Sequence, residues 1–350
     1  MKSSGVSVAR TLDDNRSLVK PRATASGAPF DWAATALGAL FTGGLFLDGW
    51  AHTHGQVDDT FFTPWHAALY SGFLALALLL IGRAAWGVAR DGRPWRRPMP
   101  AGYGLSLAGV AFWFVGGPLD AVWHEIFGFE ADVEALMSPA HAILAMGFGL
   151  MASGPLRAGL RRPRGGWWRD LPMILSLTFV VANLTFFTQI AHPISNLWAA
   201  RGGPGGYGAM ELGITGILLT VVILMAPLLW LLRYDRLPAG ATAVVVGLNA
   251  VAMGFLFDRG PYPWIAVLAV AAAAVAADLV RSPLTLDARR PTAYRVFACA
   301  VPVTMTLAYF AGLAATGGIA WSTHVWVGTV VFAGVAGWLL SSLILPPRVD

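Results

Sequence analysis

The chain has 350 residues, 56% hydrophobic and 12% charged, about half the charge usual in a soluble domain. Its mean hydropathy is +0.62. This composition excludes a soluble globular protein, and a lone cysteine, Cys299, excludes a disulfide framework, a cysteine zinc site or an iron–sulfur centre within one chain. The net charge of +5 does not indicate nucleic acid, because the basic residues lie between apolar segments and not in one patch.

Residues 1–30 are polar and rich in Ser and Arg, without the apolar stretch of a signal peptide, and read as a disordered tail. A membrane span needs about 20 mostly apolar residues. Ten segments qualify: 31–50, 64–84, 103–123, 139–156, 170–190, 209–232, 240–257, 262–281, 293–315 and 320–343. The predicted fold is therefore an all-α, polytopic membrane bundle. Forty Gly and fifteen Trp agree with it, since small residues let membrane helices approach and Trp collects at the membrane–water boundary.

The basic residues test this count. With a cytoplasmic N-terminus, 22 of the 24 fall on the cytoplasmic side, leaving Arg201 and Arg259 outside. A missed or invented span would flip every later loop and destroy that partition. Both termini, including the short tail 344–350, are thus expected in the cytoplasm. The excess of Arg over Lys points to a GC-rich bacterium and its inner (cytoplasmic) membrane. The stretch Arg161 to Arg169 divides the chain into halves, 31–160 and 161–343.

In this topology all seven histidines fall at the outer face: His52, His54, His66, His124, His141, His192 and His324. The first half also contains a duplication. Leu47-Asp48-Gly49-Trp50-Ala51-His52 is echoed 72 residues on by Leu119-Asp120-Ala121-Val122-Trp123-His124. Thr63-Pro64-Trp65-His66 is echoed by Ser138-Pro139-Ala140-His141, and Gly72-Phe73 by Gly147-Phe148. Each unit is an outward helix ending in Asp-x-x-x-His, an outer loop, and a returning helix opened by Thr/Ser-Pro-x-His. Two such units in one orientation imply a pseudo-two-fold axis along the membrane normal.

Residues at i and i+4 share a helix face, so Asp48 converges with His52 and Asp120 with His124. Thr63 and Ser138 are good N-caps, with proline in the first turn after each, which sets His66 and His141 at the helix start. Two histidines and one carboxylate suit copper, iron or zinc. The expected ligand sets are Asp48, His52, His66 and Asp120, His124, His141. His54 and Glu125 are spare ligands or supports, with Glu125 as the proton relay. A single Asp-x-x-x-His pair serves equally as a hydrogen-bonded helix end; its repetition favours the ligand reading. His192 and His324 read as capping or water-exposed residues, Asn249 and Gln189 as interhelical hydrogen-bonding groups, and Glu130, Asp132 and Glu134 as a solvated charge run.

The Asp48, His52, His66 pattern, with Asp120, His124, His141 as a longer-gapped copy, resembles the intramembrane copper-binding pattern in the C subunit of the copper membrane monooxygenases, which oxidise methane, ammonia or short hydrocarbons. Pro118-Leu119-Asp120, Ser138-Pro139-Ala140-His141 and Gly154-Pro155-Leu156-Arg157 are similar to segments of the polytopic copper-assembly factors of cytochrome oxidases. The first resemblance implies an oxygen-activating copper site, the second metal delivery without catalysis.

The function expected is a metal-dependent membrane oxidoreductase, a monooxygenase on a lipophilic or small apolar substrate entering from the bilayer. The alternative is a copper-binding protein that delivers metal to, or assembles, a partner oxidase. Other membrane subunits or a second copy of the chain are the expected protein partners. The sequence contains no HExxH zinc motif, Gly-x-Ser-x-Gly elbow or phosphate-binding loop. Paired haem ligands are disfavoured because the histidines sit near helix ends.

Overall fold

A computed structural model describes residues 26–56, 63–95, 97–128, 134–201, 207–257, 261–281 and 290–345. Most of the N-terminal tail and the acidic positions Asp58, Asp59, Glu130 and Asp132 lie outside them, as do Asp258 and Arg259. Among the described residues the protein is all helical. The elements are α1 (Ala28–Thr53), α2 (Pro64–Ala89), α3 (Gly104–Phe127), α4 (Glu134–Met137), α5 (Pro139–Ala152), α6 (Gly154–Leu160) and α7 (Trp167–Phe187). A 3₁₀ turn (Gln189–Ala191) follows, then α8 (Pro193–Asn196), α9 (Tyr207–Arg233), α10 (Ala241–Leu256), α11 (Pro261–Arg281), α12 (Pro291–Ala314) and α13 (Thr323–Ile344).

All ten apolar segments lie on helices. Eight spans are long and apolar enough to cross a membrane, α5 and α6 together making one of them, while Ala241–Leu256 and Trp264–Leu279 are shorter apolar helices. The protein is a multi-pass membrane protein. Exposed Leu78, Phe332 and Leu343 lie on its apolar outer surface, which a bilayer covers at no cost in water contact.

Helix ends differ from the expected boundaries where local chemistry extends or breaks them. α1 starts at Ala28, inside the predicted tail, because Pro29 suits a first turn and Gly27 precedes it in extended conformation. The fourth segment is two helices, since Pro155 has no N–H to continue the ladder. Arg157 occupies the break: its guanidinium donates to Gly102 O at 2.7 Å, Ser153 Oγ at 2.8 Å, Ser106 Oγ at 2.9 Å and Leu150 O at 3.0 Å.

Sequential helices pack as antiparallel neighbours: α1 with α2, α3 with α5, α10 with α11, α11 with α12 and α12 with α13. Helix α7 joins the halves, touching α1, α5 and α6 on one side and α9 and α10 on the other. Its apolar window is 72% buried, against 33% for α2 and α13. Asn249 of α10 donates to Thr185 Oγ1 of α7 at 2.6 Å, one of the expected interhelical bonds.

At the opposite end of α1 from the histidines, Asp31 is fully buried. It pairs with Arg162 and accepts from the Tyr103 hydroxyl at 2.7 Å.

Candidate metal centre

Helix α1 runs unbroken through Asp48 and His52 and is capped at His54. Asp48 is buried, and its Oδ2 lies 3.9 Å from His52 Nε2 one turn on. Helix α2 returns from Thr63, whose side chain accepts from the His66 N–H at 3.1 Å, with Pro64 in the first turn. That cap sets His66 against α1, its Nε2 3.6 Å from Asp48 Oδ1. The His52 and His66 rings are 5.7 Å apart between centroids.

The second hairpin repeats this geometry. Asp120 Oδ1 lies 3.6 Å from His124 Nε2 and 3.3 Å from His141 Nε2. The His124 and His141 rings are 5.9 Å apart. Ser138 caps α5 by accepting from the His141 N–H at 3.1 Å, and its Oγ also meets His141 Nδ1 at 2.8 Å. In each group the three candidate ligand atoms lie within 4.8 Å of one another. The sequence-predicted ligands are therefore brought together as two sets of three.

Helix packing repeats along with the ligands. A Cβ on Gly44 would stand 2.8 Å from the Leu69 backbone, and one on Gly116 would stand 2.8 Å from the Leu144 side chain. A Cβ on Gly72 would meet Phe41 backbone at 2.6 Å, and one on Gly147 the Trp113 ring at 2.5 Å. Gly44 to Gly116 and Phe41 to Trp113 are shifts of 72, whereas Leu69 to Leu144 and Gly72 to Gly147 are shifts of 75. These are the shifts that relate the ligands.

The donor chemistry fits a cation. Asp48 Oδ1 and Asp120 Oδ1 are both buried and accept no hydrogen bond, although imidazole nitrogens surround them. His124 Nδ1 faces the Gly128 carbonyl at 3.3 Å, and a carbonyl only accepts. The proton of a neutral ring is then on Nδ1, so Nε2 turns a lone pair toward the Asp120 oxygen. A neutral ring held this way offers Nε2 as the metal-binding nitrogen. Gly128 makes this contact possible: at φ 82° the chain turns in a region that disfavours a side chain. Donors about 2.1 Å from a tetrahedral metal are about 3.4 Å from each other; the carboxylate–imidazole spacings run from 3.3 to 3.9 Å, and every pair of candidate donors in a group lies within 4.8 Å.

The two groups are neighbours. Asp48 and Asp120 lie within electrostatic reach of each other, as do His52 and the pair His124 and His141. Tyr70, which the sequence reading passed over, lies within reach of both carboxylates. Its hydroxyl packs on α3, 3.4 Å from where a Cβ on Gly117 would be. The available signal was its position four residues after His66, on the same face of α2.

The remaining predicted residues lie elsewhere. His54 stacks on Trp50 at 4.7 Å, and its Nδ1 bonds the Trp50 carbonyl at 2.8 Å, which ties it to the end of α1. Trp65 donates to Gln56 O at 3.0 Å and meets Trp50 edge-on. Glu125 is exposed on α3 and belongs to neither group of three. His324 is exposed at the start of α13, and His192 is buried in the second half.

Comparison with protein-family models, curated proteins and solved structures found no match.

Proposed function

We propose that the chain is a metal-dependent oxidoreductase of the bacterial cytoplasmic membrane, a monooxygenase acting on a lipophilic or small apolar molecule. Its ions, copper or iron, are held by Asp48, His52 and His66 and by Asp120, His124 and His141. One observation carries this reading: Asp120 Oδ1, buried and without a hydrogen bond, lies 3.6 Å from His124 Nε2, and Asp48 Oδ1, likewise buried and without one, lies 3.6 Å from His66 Nε2. In the proposed topology all ten apolar helices cross the bilayer, both termini are cytoplasmic, and the hairpins are tandem copies about a pseudo-two-fold axis. The shared glycine contacts and the basic-residue partition support it.

Bound copper or iron supplies one-electron chemistry toward dioxygen, and three protein donors leave room for a further ligand. The two aspartates offset cation charge where water is scarce. Ser138 and the Gly128 carbonyl hold the His141 and His124 rings in orientation. Exposed Glu125, next to His124, exchanges protons with water, and the Trp50 and Trp65 rings wall the approach from the bilayer.

The test uses copper-loaded protein in liposomes with duroquinol as reductant, 1-octene as substrate and ¹⁸O₂. The reading predicts ¹⁸O-labelled epoxide or alcohol, lost in Asp48→Asn/Asp120→Asn. Metal-loaded protein giving neither labelled product nor dioxygen uptake would overturn it. A second reading, delivery of copper to a partner oxidase, is favoured by one feature: the His52 side chain is 37% exposed, an edge where ligand exchange with a partner could begin. It predicts copper transfer to an acceptor without any oxidised product.

A further inference from the structure

The segment after α7 carries irregular backbone into the bundle. The 3₁₀ turn packs on α9, and α8 packs on α9, α10 and α11. The Ala191 carbonyl presses so closely on Gly216 that a Cβ there would stand 1.6 Å from the oxygen. Gly216 is nine residues into α9, so at 1.5 Å per residue the contact lies about 13 Å along that helix from its start. Non-helical backbone at such depth is tolerated where protein covers it or where it lines a cavity. Both conditions hold. Asn196 Nδ2 donates to the Gln189, Ile190 and His192 carbonyls at 2.8, 3.3 and 3.2 Å, and the Tyr309 hydroxyl donates to Pro193 O at 3.0 Å. His192, Pro193 and Ile194 then form one wall of a partly open cavity.

The facing walls are mainly apolar, with Ile217 and Leu224 of α9, Val246 of α10, Val270 of α11 and Met305 of α12. Among the described residues no lysine, arginine or carboxylate lines the cavity, which disfavours a charged ligand. Asn249, also on the wall, is engaged with Thr185. His192 is different. It is 2% exposed, and its Nδ1 accepts from the Ile194 N–H at 3.3 Å. A ring that accepts at Nδ1 is neutral and carries its proton on Nε2. That Nε2 is buried and without a hydrogen-bond partner. A buried N–H of this kind calls for an acceptor, and the cavity it borders is where one can enter.

We infer that this cavity is a binding site for a small lipophilic molecule whose polar group is a single hydrogen-bond acceptor, a ketone or ether oxygen. The oxygen is received by His192 Nε2–H, and the hydrocarbon lies between α9 and α12. The site is separate from the carboxylate–imidazole groups, none of whose six residues lines the cavity, and it does not depend on their binding metal.

The test titrates purified full-length protein in detergent with 2-nonanone carrying ¹³C at the carbonyl. Saturable binding is expected, with the bound carbonyl resonance moved downfield by the hydrogen bond and nonane binding more weakly. His192→Phe keeps a ring but removes the donor, so the downfield shift disappears and affinity falls about tenfold. Ala250→Phe fills the cavity while leaving His192 in place, and abolishes binding in a protein that still unfolds cooperatively. Absence of saturable ketone binding to the folded wild type, equal binding of nonane, or full binding by Ala250→Phe would overturn the inference. If His192→Phe does not fold, the wild type and Ala250→Phe decide it.

Discussion

Asp120 Oδ1 and His141 Nε2 come within 3.3 Å across the α3–α5 interface, yet that oxygen accepts no hydrogen bond. Asp48 Oδ1 stands in the same relation to His66 Nε2 at 3.6 Å across α1 and α2. A buried carboxylate oxygen left in this way is costly in a protein that merely folds. It is inexpensive in one that binds a cation. Both hairpins share the feature, which is why ligation explains it better than an isolated packing defect.

Ser138 both caps α5 and braces the His141 ring. Ser138→Ala is expected to cost about 1 kcal/mol of stability through the lost cap and to weaken metal binding by about 10- to 100-fold through the lost brace. Thermal unfolding of metal-free protein and competition with a chromophoric chelator measure the two effects separately. A change in stability alone would remove the bracing role.

The close helix approaches make a sharper test of packing. Gly72→Ala forces a methyl to 2.6 Å from Phe41 backbone, and Gly147→Ala forces one to 2.5 Å from the Trp113 ring. Each is expected to destabilise by about 1 to 3 kcal/mol. Gly43 has nothing within 4 Å of its Cβ position, so Gly43→Ala leaves the thermal midpoint unchanged or higher. Equal midpoints for all three variants would contradict the hairpin packing.

Asp31 links Arg162 and Tyr103, with Asp31 and Tyr103 buried and Arg162 largely so. Asp31→Ala leaves an uncompensated guanidinium and costs about 3 to 5 kcal/mol. Tyr103→Phe removes one donor and costs about 1 to 3 kcal/mol. Unfolding in a denaturant series checks that order, and a larger loss for Tyr103→Phe would show that Asp31 is not the hub.

Topology is open to chemical labelling. In a Cys299→Ser background, Gln56→Cys is expected to react with an impermeant maleimide on intact cells. Arg161→Cys is expected to react only after permeabilisation. Both positions are exposed. The opposite pattern would invert the assignment of sides and move the histidines to the cytoplasmic face.

Much of this architecture was legible because membrane helices announce themselves by apolar length. The grouping of Asp48, His52 and His66 and of Asp120, His124 and His141 was legible for a different reason. Asp48 and His52 share a helix face by spacing alone, and Thr63-Pro64 and Ser138-Pro139 mark helix starts that hold His66 and His141. His54 shows the limit of proximity in sequence: it is four residues from Trp50 and stacks there instead. The break at Ser153 was hidden because Gly-Pro in an apolar run is also compatible with a kinked single span, and only Arg157 reaching back to Gly102 shows what stabilises it. The capping role of His192 was legible, and its Nδ1 does accept from the Ile194 N–H; Tyr70 and the cavity beside His192 were illegible for the same physical reason. Their settings come from other helices, Gly117 of α3 for one and the walls of α9 to α12 for the other, and no local period encodes those contacts.

The most direct measurement is the metal content of protein purified from copper- and iron-replete cells, compared among the wild type, Asp48→Asn, Asp120→Asn and the double variant, all shown to be folded. Two ions per chain in the wild type, one in each single variant and none in the double variant are expected. Equal, negligible metal in all four, or metal undiminished in the double variant, would contradict the account.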